Sequence, residues 1–236
     1  MADPVLEVEA LRAGYGPAEI LFGVSLKLAR GEVAALMGRN GAGKSTTLKA
    51  IMGLLPPRAG QVRFAGQEIS GMPAFRIARL GLGYVPEDRR IFTDLTVAEN
   101  LEVGRRAARG HAAWTPERLF EIFPNLAAMR GRRAAAMSGG EQQMLAIART
   151  LMGNPDAVLL DEPSEGLAPV ILELMAEAVL SMKREGIAVL LSEQKFDFAA
   201  AVADRAYVIE RGEIRYDGSM AALEADPALR AQHLTL

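Results

Sequence analysis

Short apolar runs separated by turn residues dominate the hydrophobic pattern of this chain. Near its start, Val5–Leu11 and Gly23–Leu28 alternate between apolar and polar positions, and Gly14–Pro17 between them has the composition of a turn. These runs predict strands of an antiparallel layer. A third run, Val33–Met37, is continuously apolar and leads through a Gly-rich loop into a helical pattern at Ser45–Met52. That arrangement predicts a strand–loop–helix unit.

Further compact apolar runs predict additional strands. They are Gln61–Phe64, Leu82–Val85, Ala157–Leu160, Ala188–Leu191 and Ala206–Ile209. Continuous runs of this kind are typical of central strands that are covered on both faces, as in a mostly parallel sheet. The pattern therefore predicts an α/β protein whose core is built on a mostly parallel sheet, with the antiparallel β layer at its N-terminus.

The stretch between the runs at 82–85 and 157–160 has a helical pattern instead. Helices are predicted over Thr96–Arg109, Pro116–Phe123 and Glu141–Met152. We therefore expect residues 88–155 to form a helical subdomain inserted in the core of one domain that spans residues 1–236. The Ala-rich tail, 219–236, predicts one or two short helices.

Composition and charge are those of an ordinary folded protein with a substantial core. The chain has 236 residues, of which 50% are hydrophobic and 24% charged. Its net charge of -2 provides no overall attraction to nucleic acid or to an anionic membrane. It contains no Cys, which excludes disulfides and thiolate metal sites. The acidic N-terminus does not resemble a signal peptide, and no apolar run approaches the roughly 18 residues of a membrane-spanning helix. We expect no nucleic-acid partner.

The Gly-rich loop fits the phosphate-binding P-loop pattern in full. It consists of Gly38, Arg39, Asn40, Gly41, Ala42, Gly43, Lys44 and Ser45, followed by Thr46 in the predicted helix. In such a loop the backbone N–H groups surround the β-phosphate. Lys44 adds a cation between the β- and γ-phosphates, and the Ser45 hydroxyl ligates Mg²⁺. The loop therefore predicts binding of a nucleoside triphosphate with Mg²⁺.

Two adjacent acids follow the apolar run at 157–160. Asp161 can hold Mg²⁺ through water, and Glu162 can polarise an attacking water molecule. Because many strands end in an exposed acid, this pattern is weak alone. Combined with the P-loop, it predicts a site of nucleotide hydrolysis.

A second anion-binding feature lies at the start of the last predicted helix of the insertion. Ser138, Gly139 and Gly140 precede Glu141, so a hydroxyl and several free backbone N–H groups are available without large side chains. This arrangement is also an ordinary helix N-cap, and the two roles are compatible. Since the P-loop already supplies a phosphate cradle, we expect a dimer in which each subunit completes the other's nucleotide site.

These motifs together resemble those of the ATP-binding cassette (ABC) ATPases, over nearly the whole chain. The P-loop is similar to the family's Walker A motif, Ser138–Gln142 to its signature, Asp161–Glu162 to Walker B and Ser164–Leu167 to the D-loop. The resemblance implies that two identical or different subunits enclose two ATP molecules. Ser138, Gly139, Gly140 and Glu141 would then bind the ATP held by the partner subunit.

The resemblance also implies a role for Tyr15, which lies where the family places an aromatic ring on adenine. A Tyr in a Gly-Pro turn is often only a packing residue, so both roles remain open.

Two positions depart from the family's usual residues. Glu87 replaces the Gln that follows Tyr-Val-Pro, and Gln194 replaces a His. Glu87 can still ligate Mg²⁺ but adds negative charge near the γ-phosphate. Gln194 can donate an N–H to that phosphate but cannot become cationic. We expect Gln194 to stabilise the transition state less than His does, which leaves more of this work to Glu162 and Lys44. The alternative is that Gln194 is a structural surface residue.

Longer segments narrow the resemblance but leave the transported substrate open. Segments 85–92, 96–101 and 138–145 and the pair Glu193–Gln194 resemble the second ATP-binding subunit of branched-chain amino acid importers. Segments 194–199 and 203–205 resemble the urea and short-amide importers instead. Either resemblance implies an ATPase peripheral to the cytoplasmic face of the inner membrane. Its partners would be transmembrane permease subunits and, indirectly, a periplasmic receptor.

Two other classes fit the sequence less well. A soluble ABC ATPase of DNA repair or ribosome work would need a long coiled-coil insertion or two cassettes, for which 236 residues leave no room. A P-loop kinase or GTPase would give Ser138–Gly140 no role, and the Asn-Lys-x-Asp run that reads guanine is missing.

Overall fold

Two β-sheets form the framework of the protein, which a computed structural model describes over residues 4–108 and 113–234. The first sheet is antiparallel, with strand order β2-β1-β4-β5. Its strands are β1 (Pro4–Tyr15), β2 (Ala18–Ala29), β4 (Ala59–Phe64) and β5 (Gln67–Glu68).

The second sheet has six strands in the order β10-β9-β3-β8-β7-β6. Its strands are β3 (Val33–Met37), β6 (Leu82–Val85), β7 (Ala157–Asp161), β8 (Ala188–Glu193), β9 (Arg205–Glu210) and β10 (Glu213–Ser219). Only β10 pairs antiparallel, and the other five strands run parallel. The predicted fold class, an α/β protein with a mostly parallel core sheet and an antiparallel N-terminal layer, is confirmed.

Helices connect these strands. They are α1 (Lys44–Ile51), α2 (Ala74–Leu80), α3 (Val97–Gly104), α4 (Pro116–Ile122), α5 (Pro124–Ala128), α6 (Gly139–Leu151), α7 (Pro169–Arg184), α8 (Phe196–Val202), α9 (Met220–Ala225) and α10 (Pro227–Leu234), with a 3₁₀ turn at Ala134–Ala136. The last two confirm the short helices predicted for the tail.

The centre of the parallel sheet is buried on both faces because its strands contain continuous apolar runs, as in β3 and at the start of β7 and β8. In β3, Val33, Ala35 and Met37 pack into one apolar cluster together with α6, α7 and α8. Ala34 and Leu36 of the same strand pack into a second cluster, which contains α1 and the antiparallel sheet. Successive residues of a strand point to opposite faces. The continuous apolar run is therefore what allows the sheet to be covered on both sides.

One predicted strand belongs to the other sheet. Gln61–Phe64 was predicted as a central strand, but β4 pairs antiparallel with β1 in the first sheet. Val62 and Phe64 are buried whereas Arg63 between them is exposed, which is the alternation of a strand with one covered face. The prediction was wrong because this short run was treated as continuous.

The segment between β6 and β7 contains α3 to α6 in the part that the structure describes. Helix α3 is shorter than the predicted Thr96–Arg109: Thr96 is its N-cap, with Glu99 completing a capping box, and the helix ends at Gly104. Arg109 lies outside the described residues. The division at residues 88–155 into a separate subdomain stays a prediction.

Candidate functional site

Most of the predicted site residues lie where the parallel strands end. The P-loop follows β3, Asp161 and Glu162 end or follow β7, and Gln194 follows β8. Glu87 lies two residues beyond the end of β6. Ligand sites of open α/β sheets form outside the carboxyl ends of the strands, where connecting loops converge. The order β3-β8-β7-β6 therefore brings together residues that are far apart in the sequence.

A cavity of about 450 Å³ lies at this edge of the sheet. It is lined by Tyr15, Ile20, Asn40, Gly41, Gly43, Lys44, Ser45, Thr46, Glu87, Glu162 and Glu165. Its size is within the range of small-molecule sites. The structure thus brings together most of the sequence-predicted residues of the P-loop with Tyr15, Glu87 and Glu162. Ile20 and Glu165 are additions that the sequence analysis did not single out.

Glycine is required in the P-loop for backbone reasons. Gly43 has φ of 115°, and a Cβ at this position would lie 2.8 Å from Leu21 Cδ2. Gly43 is also the N-cap of α1, and no side chain caps that helix. The free N–H groups and the positive end of the helix dipole are therefore available to an anion.

Lys44 is held across the loop that it follows. Its Nζ donates to the backbone O of Gly38 at 2.9 Å and of Arg39 at 3.2 Å, and lies 3.0 Å from Glu162 Oε1. Both the Lys44 and Glu162 side chains are buried. A phosphate oxygen that binds Lys44 would therefore compete with the Glu162 carboxylate for the same ammonium group.

Asp161 is fixed by three hydroxyl groups. Ser45 Oγ and Ser192 Oγ donate to its Oδ1 at 2.8 and 2.7 Å, and the Tyr84 hydroxyl donates to its Oδ2 at 3.2 Å. Burial raises the pKa of Tyr84, and the charge of Asp161 raises it further, so this phenol stays protonated. Ser45 and Asp161 were predicted as a pair. Tyr84 and Ser192 were missed, although Ser192 is the direct neighbour of Asp161 in the β7–β8 register.

Glu162 is positioned through its backbone as well as its side chain. Its N–H donates to Ser192 Oγ at 3.0 Å, and its φ of 46° is unusual for a residue with a side chain. Gln194 Nε2 donates to Glu162 Oε2 at 2.7 Å. The two carboxylate oxygens of Glu162 therefore face Lys44 and Gln194. This contact gives the exposed Gln194 a partner at the site, and its role in hydrolysis stays a prediction.

Two further carboxyl groups at the site were not predicted. Loss of solvent raises the pKa of Glu165, and the hydrogen bond and charge of Glu162 and the charge of Glu87 raise it further. Burial likewise raises the pKa of Glu193, although hydrogen bonds from Ser164 and from backbone N–H groups oppose this effect. Both residues lie in segments that the resemblance covers, Ser164–Leu167 and Glu193–Gln194, but the sequence assigned neither carboxyl group a role, because their environment depends on contacts between loops.

Tyr15 lies at the rim of the cavity, at the end of β1, with 48% of its surface exposed. A ring in this position is accessible to a planar ligand, which is compatible with the stacking role.

The signature residues lie outside this cavity. Ser138 Oγ accepts the N–H of Glu141, and Glu141 Oε2 accepts the N–H of Ser138 at 2.6 Å, which forms a capping box at the start of α6. None of Ser138, Gly139, Gly140 and Glu141 is among the residues that line the cavity. The structure thus brings the P-loop and Glu162 together but does not bring the signature to them within one chain.

The oxygen ligands fit a Mg²⁺ ion that shares its coordination with a nucleotide. Among the described residues, no group of three or more His, Cys, Asp or Glu could hold a metal ion. The Ser45 hydroxyl and the Asp161 carboxylate nevertheless lie side by side. Mg²⁺ is commonly bound by one or two protein oxygens together with substrate phosphates and water.

A P-loop whose Lys and Ser contact an acid pair at the end of another strand of the same parallel sheet defines a P-loop nucleoside triphosphatase. Residues 21–165 match the family model described as ABC transporter, and the chain belongs to this family. It is therefore an ATP-binding subunit whose ATP hydrolysis is coupled to transport. The resemblance drawn from the motifs is confirmed.

Relatives and a solved structure match almost the whole chain. The high-affinity branched-chain amino acid transport ATP-binding protein BraG of Pseudomonas aeruginosa is 42% identical over 231 residues, 98% of this chain and 99% of that protein. The probable branched-chain amino acid transport ATP-binding protein LivF of Archaeoglobus fulgidus is 34% identical, over 91% of this chain and 92% of that protein. A nucleotide-free ATP-binding cassette from an ABC transporter has a TM-score of 0.81 and 28% identity, over 96% of this chain and 97% of its own.

Within the ranges that the structure describes, no helix is both long enough and apolar enough to cross a membrane.

Proposed function

We propose that this chain is an ATP-hydrolysing subunit of an importer for branched-chain amino acids. The observation that carries this proposal is the near full-length similarity to ATP-binding proteins named for branched-chain amino acid transport, at 42% identity for the bacterial one. The urea and short-amide importers remain the alternative on the basis of segments 194–199 and 203–205.

We assign the steps of hydrolysis to the residues that converge at the cavity. Lys44 binds the β- and γ-phosphates and neutralises charge that develops on them. Ser45 and Asp161 would hold Mg²⁺, which would supply further neutralisation of the phosphate charge. Glu162 orients and polarises the attacking water. The support is geometric: Lys44 contacts Glu162, and Ser45 contacts Asp161.

Glu87 and Gln194 modify this chemistry. Glu87 lines the cavity with a carboxylate that could ligate Mg²⁺ and would add negative charge near a bound γ-phosphate. Gln194 donates to Glu162, so it orients that carboxylate as well as offering an N–H to the phosphate. A neutral amide stabilises developing charge less than a cationic imidazole does.

The working unit that we propose is a dimer, with the same or a different ATPase subunit as the partner. Ser138, Gly139, Gly140 and Glu141 provide a helix N-terminus with two glycines, outside the cavity of their own chain. A second subunit that turns its P-loop toward this helix end would place its γ-phosphate there. ATP would then hold the two subunits together.

The remaining partners are transmembrane permease subunits, with a periplasmic receptor acting through them. The chain would lie at the cytoplasmic face of the inner membrane as a peripheral subunit. A groove of about 370 Å³ beside β6 offers a contact surface for a permease segment, because Phe92 and Val103 on its lining are both about half exposed.

Transport by the copurified complex tests the substrate. The tagged chain is purified with its membrane subunits, reconstituted in vesicles, and supplied with the cognate receptor and ATP. Leucine, isoleucine or valine is expected to stimulate ATP hydrolysis and to be taken up, whereas urea and acetamide are not. Stimulation by urea or acetamide alone would replace the proposed substrate with the alternative.

A further inference from the structure

A buried carboxylate joins the two loops on which Glu162 and Gln194 lie. Glu193, the last residue of β8, has 1% of its surface exposed, and so has Ser164 in the loop after β7. Ser164 Oγ lies 2.5 Å from Glu193 Oε1 and 2.9 Å from Oε2, so the hydroxyl donates to the carboxylate. This bond spans the two loops at a point from which water is excluded.

The same carboxylate also holds the backbone of the loop after β8. Glu193 Oε2 accepts the N–H groups of Gln194 and Lys195, each at 3.2 Å. Lys195 Nζ in turn donates to the backbone O of Ser164 at 2.9 Å. Glu193, Ser164 and Lys195 therefore form a clamp that ties one loop to the other through two separate connections.

Gln194 lies inside this clamp. It stands between Glu193 and Lys195, which both bond to Ser164, and Ser164 follows Glu162 by two residues. The side-chain contact from Gln194 Nε2 to Glu162 Oε2, at 2.7 Å, is thus supported by the clamp on both sides. Glu193 itself is not among the residues that line the cavity.

We propose that Glu193 is a positioning residue for ATP hydrolysis: through the clamp it sets the position of Gln194 against Glu162. This inference rests on the proposed role of Glu162 in polarising the attacking water. Because Glu193 does not reach the cavity, its loss changes the geometry of the reacting groups and leaves the phosphate cradle intact. A displacement of about 1 Å in such groups costs roughly 100-fold in rate.

Two substitutions at Glu193 distinguish the effect of its hydrogen bonds from the effect of its side-chain size. Glu193→Ala removes every acceptor: it leaves the buried Ser164 hydroxyl without this partner and deprives the backbone N–H groups of Gln194 and Lys195 of theirs. Glu193→Gln keeps the size, and its carboxamide O can accept the two N–H groups while its NH₂ donates to Ser164 Oγ. The conservative variant is therefore expected to restore most of what Ala loses.

The control is Tyr207→Phe, which removes a buried hydrogen-bonding group that is not among the residues lining the cavity. The Tyr207 hydroxyl donates to the backbone O of Lys27 at 2.8 Å and accepts the Lys27 N–H at 3.0 Å. This variant loses buried hydrogen bonds without touching the clamp. It reports what destabilisation alone does to turnover.

Steady-state hydrolysis by the purified full chain is the first measurement. Glu193→Ala is expected to lower kcat about tenfold or more, with the KM for ATP changed less than about twofold. Glu193→Gln is expected to stay within about threefold of the wild type. Ser164→Ala should lower kcat too, and the double variant should fall no further than Glu193→Ala, since both remove the same connection.

Hydrogen–deuterium exchange is the second measurement and does not depend on hydrolysis. Glu193→Ala is expected to accelerate exchange in both segments, 162–168 and 194–196, whereas Tyr207→Phe accelerates neither. If exchange in Glu193→Ala is faster only in segment 194–196, Glu193 does not connect the two loops and the clamp is wrong. Equal loss of kcat in Glu193→Ala and Tyr207→Phe would overturn the positioning role.

Failure of this inference is distinguishable from failure of the proposed function. If the wild type hydrolyses ATP and Glu193→Ala does so equally well, the positioning role is wrong and the function stands. If neither the chain nor its complex hydrolyses ATP, the proposed function fails, and with it the role of Glu193.

Discussion

Lys44 Nζ lies 3.0 Å from Glu162 Oε1, and both side chains are buried. The P-loop cation is thus paired with the carboxylate proposed to activate water. Replacing a buried ion pair costs little only when neither charge is left alone. This pairing makes the effects of substituting either residue predictable.

Glu162→Gln is expected to retain ATP binding and lose hydrolysis. The amide keeps the shape of the side chain but no longer competes as an anion for Lys44, so the Kd for ATP should not rise. Loss of the proposed base is expected to lower turnover at least 100-fold. Isothermal titration and steady-state phosphate release measure the two effects. Normal turnover in this variant would remove Glu162 from the mechanism.

The same variant tests the dimer. With ATP trapped unhydrolysed, Glu162→Gln is expected to form a dimer that analytical ultracentrifugation detects, and ADP should not support it. Adding Ser138→Arg on this background should abolish dimerisation while leaving ATP binding by the P-loop intact, because Ser138 lies outside the cavity of its own chain. If the chain stays monomeric with ATP and with ADP, and also when a different ATPase subunit is supplied as partner, the proposed dimer is wrong.

Gln194 is expected to influence turnover through Glu162 and the γ-phosphate. Gln194→Ala removes the donor 2.7 Å from Glu162 Oε2 and should lower kcat about tenfold without changing ATP affinity. Gln194→His can become cationic and should raise kcat in the assembled transporter. Turnover of the three forms is compared at saturating ATP. Unchanged hydrolysis in Gln194→Ala would return this residue to a structural role.

Tyr84 is expected to affect the Mg²⁺ requirement because its hydroxyl contacts Asp161 Oδ2. Tyr84→Phe leaves that oxygen with one donor fewer, so the carboxylate is less well oriented toward the metal. The Mg²⁺ concentration that gives half-maximal hydrolysis should rise about tenfold, at the lower end of the effects of such partners. Nucleotide binding in EDTA should not change. Tyr207→Phe, with its hydroxyl on Lys27, is the matched control.

The sequence was sufficient to predict the parts of the site that depend on local order along the chain. This holds for the P-loop, the acid pair at the end of β7 and the helix cap at Ser138. Each is a motif directly next to a strand or helix that its own segment predicts. Tyr84 and Ser192 could not be predicted in the same way, since their contacts with Asp161 arise from the alignment of neighbouring strands. That alignment is a tertiary property.

Charged groups in the loops were missed for a related reason. Glu193 ends β8 and Glu165 lies in the segment that resembles the D-loop, but nothing in either segment assigns a role to these two carboxyl groups, because their contacts arise where the loops at the strand ends meet. The misplacement of Gln61–Phe64 has a different cause. Arg63 already interrupts that run, and the alternation it creates indicates a strand with one exposed face.

Glu193 is expected to make folding stability depend on pH with a defined sign. Burial raises the pKa of this carboxyl in the folded state above its ordinary value, despite the hydrogen bonds that Ser164, Lys195 and Gln194 donate. The folded protein therefore binds this proton more tightly than the unfolded chain does. The stability contributed is fully present below the unfolded pKa, about 4.3, and is lost as pH rises through the folded pKa.

The Glu193→Gln variant has no titrating group at this position, so its free energy of unfolding lacks the pH-dependent contribution of Glu193. Compared with the wild type, the variant should therefore gain stability as pH rises from about 4.5, and the difference should become constant above the folded pKa. The neighbouring charges, Lys195 and Glu165, remain in both proteins and largely cancel. Urea unfolding of both proteins at several pH values between 4.5 and 8 measures the difference. A difference independent of pH, or one that shrinks as pH rises, would contradict the raised pKa of Glu193.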